Sequence, residues 1–354
     1  MSEVKIMDNQ PKLKRETKNT IRVEFNRTPL GDRLKAKYLN TFFYRKILIA
    51  LFRFLLLLGL SFIILFPFFS WISSSFMSPT DFTQPDVNMV PKYPTVQIYR
   101  YLAKEAGYFK AIGNTLLLCI ITAGLQTFVC AIVGYGFAKF KFKGRGALFA
   151  LVLFTMVIPH QVLRLPMFLH YRWFKLFGFI DISGILSKMG LDYGFINSFV
   201  PFILLSLTGL AFKNGLFIFL MRQFYRGVPD ELEESAYVDG TGVVKTYFRI
   251  ILPISVPMMI TIFLLAFSWQ WTDTFYTDLF YTESASTVFM NDFVYTGSKT
   301  LSELSTEAGA YSQSYMTAVT NTAGLMAVAP LILIYLFCQR YLIQGIEHSG
   351  FGGT

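Results

Sequence analysis

The stretch IALFRFLLLLGLSFIILFPFF, residues 49–69, is interrupted by a single charge, Arg53. A soluble domain has no place for so long an apolar run, whereas a bilayer needs about 20 such residues for each helical crossing. Inside lipid every backbone amide must be satisfied within its own segment, so the run predicts a transmembrane helix. Five further runs follow. The reading places spans at Ile47–Trp71, Ala111–Ala138, Ala147–Leu169, Phe199–Leu220, Val256–Phe275 and Met316–Phe337. The predicted fold class is therefore an all-α integral membrane protein with six transmembrane helices. Composition agrees: 53% of residues are hydrophobic and only 15% are charged.

The net charge of +10 belongs to the loops. Residues 1–46 form a basic tail with Lys12, Lys14, Arg15, Lys18 and others, longer than the basic region of a cleavable signal. The loop KFKFKGRG carries Lys139, Lys141, Lys143 and Arg145 and no acid, whereas residues 280–315 hold Lys299 against Glu283, Asp292, Glu303 and Glu307. Basic loops stay in the cytoplasm. Both termini and the loop between spans four and five are thus predicted inside. Residues 76–110 and 171–198 are predicted outside, the latter with room for a short interfacial helix. Nothing resembles a nucleic-acid-binding motif. The three cysteines read as small packing residues; Cys119 and Cys130 lie about 16 Å apart on one helix, beyond disulfide reach.

The cytoplasmic stretch ELEESAYVDGTGVVKTYFRIILP, within a loop spanning 223–253, predicts a helical hairpin. Asp230 and Glu233 have the spacing of a capping box. Glu231, Glu233 and Glu234 suit a helix N-terminus. Asp239-Gly240 stops the first helix, and Thr241 is placed to cap a second. The second helix has Val244, Tyr247, Phe248, Ile251 and Leu252 at helical spacing. Small residues Ser235 and Ala236 and a tight glycine turn fit insertion into a protein groove better than a lipid surface.

These residues carry a resemblance. Glu234-Ser235-Ala236, Gly240, Ile250 and Leu252-Pro253 follow the spacing E-A-A-x3-G-x9-I-x-L-P, with serine in place of one alanine. The pattern resembles the EAA signature of permease subunits of binding-protein-dependent ABC importers. GYGFAKFKFKGR, VIPHQVLRLPMFL, SWQWTDTFY and the close QRYLIQGIEHSGFGGT resemble the carbohydrate-importing, maltose-permease (MalG) type. The resemblance implies a core permease domain over 111–338 and a cytoplasmic tail over 339–354. It implies two cytoplasmic ATP-binding subunits, a second, MalF-like permease subunit, an extracellular solute-binding protein and a sugar as partners, in the lipid membrane of a bacterial or archaeal cell. Glu233, Glu234, Ser235, Ala236, Asp239, Gly240, Leu252 and Pro253 would form the coupling contact with the ATPase.

Charged and aromatic residues within spans are candidates for the substrate path. Trp269, Gln270, Trp271 and Asp273 combine stacking rings with hydrogen-bonding groups; the alternative is interhelical polar contact or interfacial anchoring. His160 and Arg164 lie four apart, on one face of a continuous helix. Arg164 has two candidate partners, Asp273 or an acidic sugar. The chain lacks the G-x-x-x-x-G-K-[ST] phosphate loop, so ATP is expected on separate subunits and no cofactor on this chain. His160, His170 and His348 lack metal-ligand spacing. No catalytic constellation stands out, and an enzyme is not expected. The competing readings are a secondary transporter, a membrane scaffold, or an importer of peptide or another solute.

Overall fold

A computed structural model describes residues 13–16, 20–23, 41–176, 180–181, 188, 194–282, 287–295 and 312–346. The chain divides into two units, residues 1–69 and 70–354. The first holds a small antiparallel ladder, β1 (Leu13–Glu16) with β2 (Thr20–Val23), and most of helix α1 (Thr41–Ser75). Apolar side chains of α1 such as Leu48, Phe52, Ile63 and Phe69 are exposed.

In the second unit, α2 (Gln97–Lys104) leads into the central helix α3 (Tyr108–Lys139). The buried face of α3 is lined by small residues at helical spacing: Ala111, Thr115, Cys119, Ala123, Thr127, Cys130 and Gly134. Small side chains let backbones approach closely where lipid supplies no hydrophobic drive for association. The threonine hydroxyls donate inside their own helix, Thr122 to Leu118 O at 2.8 Å and Thr127 to Ala123 O at 2.7 Å. Both cysteines of this helix are free and buried, as packing residues should be.

After α3 come α4 (Arg145–Val157), α5 (Arg164–Arg172), α6 (Val200–Leu207), α7 (Asn214–Gly227) and α8 (Glu231–Val238). The second arm of the hairpin joins α9 (Val243–Thr246), a π-turn at Tyr247–Ile251 and α10 (Leu252–Ile254). The chain continues through α11 (Val256–Trp271), α12 (Phe275–Phe280), a short helical stretch at 290–295, and α13 (Gln313–Ile346). Around α3 pack α7, α11 and α6, with α13 against α11. A second short ladder, β3 (Lys175–Leu176) with β4 (Ile180–Asp181), follows α5, so the fold is helical with two small strand pairs rather than strictly all-α. The interfacial helix expected within 171–198 falls largely outside the described residues, as does the tail beyond 346.

Among the described residues three helices, from α1, α3 and α13, are long and apolar enough to cross a membrane, and up to five spans result if each of two bent pairs is one crossing. The continuous third span expected over 147–169 is broken: α4 and the following helical stretch meet at 94°. Pro159 lacks an amide proton and forces Ile158 into an extended conformation, φ −66° and ψ 122°. The expected fourth span, 199–220, is likewise two helices. Gly209 and Lys213 both take left-handed conformations, φ +74° and +65°, between α6 and α7. The hairpin's second arm and α11 form the other bent pair, at 73°. There the π-turn gives Pro253 room where its ring would crowd the Arg249 carbonyl one turn back.

Candidate functional site

The hairpin is fastened to the end of α3 by its acidic residues. Glu233 is 7% exposed and its carboxylate accepts from the Tyr135 hydroxyl at 3.2 Å. Lys139, half-buried with its side chain almost covered, lies 3.6 Å from the same carboxylate and 2.5 Å from Asp230 Oδ1, and donates to Val228 O at 2.7 Å. The Lys139 ammonium beside Asp230 holds that carboxyl below its usual range. The capping box expected from Asp230 and Glu233 is therefore not formed. A buried tyrosine hydroxyl and a cation are stronger claimants for these carboxylates than exposed backbone amides, which water also satisfies.

At the turn, Gly240 has φ +76°, its amide donates to Tyr237 O at 3.0 Å, and that of Thr241 to Ala236 O at 3.0 Å. The Thr241 hydroxyl also bonds the Ala236 carbonyl and lies 3.0 Å from the Thr246 hydroxyl. It closes the first helix instead of capping the second, whose N-cap is Gly242. The second arm's apolar face is split: Tyr247 and Ile251 are buried, while Val244 and Phe248 are exposed. Tyr247 packs on Tyr135 with ring centroids 4.7 Å apart. Glu234, Ser235, Asp239 and Gly240 remain exposed, with Leu232, Tyr237 and the 88%-exposed Val238 beside them; Ala236 is buried. Leu252 is half-buried and Pro253 exposed.

The candidate path residues separate into structural and cavity-facing groups. Trp271 is buried and its indole donates to Ala327 O at 3.0 Å, tying α11 to α13. The Asp273 carboxylate accepts from the amides of Tyr276 at 3.1 Å and Thr277 at 3.2 Å, which begins α12. Trp269 stacks on Phe217, with centroids 5.6 Å apart. Gln270 shares a small pocket with Gln126, Phe212, Trp269 and Asp273. His160 Nδ1 lies 3.0 Å from the Tyr276 hydroxyl, in the wall of a cavity of about 480 Å³ at the breaks in the third and fourth spans. Arg164 lines a different cavity, with Gln161, Phe168 and Asp278. The 3-10 turn at His160–Leu163 follows the Pro159 break, so the two residues do not share a helix face. Among the described residues Arg164 forms no ion pair with Asp273.

The sequence of residues 130–348, more than half of the chain, matches the family described as the binding-protein-dependent transport system inner membrane component. The chain belongs to this family. The permease is 26% identical over 297 residues to the arabinooligosaccharides transport system permease protein AraQ of Halalkalibacterium halodurans, covering 83% of this chain and 93% of the relative. It is 24% identical over 293 residues to the polygalacturonan/rhamnogalacturonan transport system permease protein YtcP of Bacillus subtilis, covering 82% and 93%. Its fold is similar to a chain in the crystal structure of a bacterial ABC transporter that imports the acidic polysaccharide alginate. There the TM-score is 0.64 at 18% identity, covering 84% of this chain and 97% of the other. A bacterial alginate ABC transporter in complex with an alginate pentasaccharide-bound periplasmic protein gives a TM-score of 0.53 at 17% identity, covering 88% and 98%.

The permease is thus a multi-pass membrane protein. Sequence reasoning found the hairpin but not its anchors. Tyr135 sits in an apolar run and Lys139 in a basic loop, and neither position advertises a partner almost a hundred residues away. Lys213, Asn214 and Tyr276, which line the larger cavity, were also missed. Lys213 had a signal: it is a charge inside a predicted span, the same criterion that selected Asp273 and Arg164.

Proposed function

We propose that this chain is a six-span permease subunit of an ATP-driven importer for a sugar or oligosaccharide. It works with two cytoplasmic ATP-binding subunits, a second, MalF-like permease subunit and an extracellular solute-binding protein. It performs no catalysis and binds no cofactor itself. Its termini and its hairpin face the cytoplasm. The observation that carries the reading is the hairpin: an EAA-spaced helix pair whose exposed side presents Glu234, Ser235, Tyr237, Val238 and Gly240, while its buried side is bound to α3 through Glu233 and Lys139. Such a lever seats in an ATPase cleft on one side and passes the cleft's movement to the spans on the other. ATPase closure then drives alternating access. The names of the relatives, permeases of arabinooligosaccharides and of polygalacturonan/rhamnogalacturonan transport systems, support a carbohydrate cargo. A secondary transporter needs proton- or sodium-coupling groups in its spans, and the candidate for that role, the Asp273 carboxylate, is engaged with backbone amides.

Co-purification from the native host in mild detergent, followed by reconstitution, tests the reading. An ATPase and a second permease are expected with this chain, and Gly240→Trp should assemble yet hydrolyse ATP without uptake. A chain that purifies alone and still transports overturns it.

A further inference from the structure

The cavity at the span breaks contains a cation that the coupling mechanism does not use. Lys213 is half-buried and takes a left-handed conformation rare for a residue with a side chain, φ +65°. Its ammonium lies over the rings of Phe212 at 4.7 Å and Trp269 at 5.6 Å. Among the described residues no carboxylate comes within ion-pair distance of it. The next residue, Asn214, is 1% exposed, and both polar atoms of its side chain lack a hydrogen-bond partner among the described residues. His160, His170 and Tyr276 supply further polar groups to the same cavity, against a wall of Met156, Leu163 and Leu210.

Depth follows from helix geometry. The 14 residues of α7 separate Lys213 from the cytoplasmic hairpin. At 1.5 Å per residue they rise about 21 Å, which places the ammonium well inside a hydrocarbon layer about 30 Å thick. A charge at that depth is costly unless it faces a polar cavity, and there it marks a substrate path. An unsatisfied buried amide beside it has the same meaning: a group held ready for a partner that comes and goes. The rings of Tyr171 and Tyr276 in the cavity wall complete the chemistry, since sugars stack their apolar faces on aromatics while their hydroxyls seek amide, imidazole and phenol groups.

We propose that this cavity binds an acidic saccharide unit, with Lys213 receiving its carboxylate and Asn214, His160 and Tyr276 hydrogen-bonding its hydroxyls. The proposal rests on the carbohydrate-import reading and adds the charge of the cargo.

The test uses the whole importer, with its partner subunits and solute-binding protein, in proteoliposomes. The probes are oligogalacturonates and oligomannuronates, the same oligomers with carboxyls reduced to alcohols, and neutral arabino- and gluco-oligosaccharides. The wild type is expected to take up at least one acid in preference to its reduced counterpart. Lys213→Asn removes the charge but keeps a residue tolerant of the left-handed backbone. It should lower that acid-to-neutral ratio by about tenfold or more, the size of a lost charge-assisted hydrogen bond. Lys213→Arg should retain most of the preference. Asn214→Asp, which sets a competing carboxylate in the cavity while Lys213 stays, should also reduce it. Yield of the assembled complex identifies any variant that fails to fold. A wild type that imports only neutral sugars overturns the acidic cargo and leaves the import reading standing. An acid preference unchanged in both Lys213→Asn and Asn214→Asp overturns the site. Uptake of no carbohydrate at all removes the import reading itself.

Discussion

Glu233 and Glu234 are neighbours with opposite fates, one buried against Tyr135 and Lys139, the other exposed. Lys139→Met leaves the Glu233 carboxylate buried without its cation, an arrangement that costs about 3–5 kcal/mol. Hydrogen exchange over residues 231–240 should accelerate in this variant, and uptake per ATP hydrolysed should fall. Unchanged protection would show that the hairpin is held some other way. Asp230 is the exposed partner of the same lysine, and its pKa is lowered by the Lys139 hydrogen bond and charge. A lowered carboxyl pKa contributes stability that is complete above the ordinary aspartate value, about 3.9, and is lost as pH falls through the lowered one. Hairpin protection, corrected for intrinsic exchange, should therefore stay flat from about pH 8 to pH 5 and weaken only in stronger acid. A loss centred near neutral pH would point to a different titrating group. The sequence showed these acids as helix-capping residues because capping is local; the tyrosine and lysine that claim them arrive from another span.

At the level of the helix, one close approach sets how α3 and α7 cross. A Cβ added at Gly134 on α3 would stand 2.5 Å from Met221 Cβ and 3.0 Å from the Arg222 amide nitrogen on α7. Gly134→Val must push α7 outward, at a cost of about 1–3 kcal/mol. A lower melting temperature of the purified complex is expected, and an unchanged one would mean the pair does not cross here. Asp273 determines where α12 begins, so the effect of replacing it depends on the acceptor and not on the charge. Asp273→Asn should keep near-normal uptake, whereas Asp273→Ala loses a capping contact worth about 1 kcal/mol and loosens the Tyr276 hydroxyl from His160. Equal damage from both substitutions would restore a role for the charge itself. The breaks in spans three and four were only partly legible. Pro159 is visible in the sequence, but an isolated proline is tolerated in membrane helices when neighbours satisfy the freed carbonyls. Gly209 and Lys213 gave no periodic signal of a turn; their left-handed conformations depend on how α6 and α7 pack against α3.

For the whole molecule, charge asymmetry and apolar runs support the proposed six-span topology, which labelling can check. Single cysteines replacing Lys143 and Val238 should react only from the cytoplasmic side and one replacing Met89 only from outside, in a cysteine-free background; reactivity of Lys143→Cys and Val238→Cys from opposite sides would break the six-span arrangement. The membrane class, the long helices α1, α3 and α13 and the EAA-spaced hairpin were determined by the sequence alone, because run length, the spacing of charges and a glycine turn are properties of contiguous residues. The tertiary structure decided which carboxylate turns inward, where the third and fourth spans break, and that Lys213, Asn214, His160 and Tyr276 share one cavity. Those outcomes depend on side chains far apart in the chain competing for the same few partners in a medium without water. Local pattern carries no record of that competition.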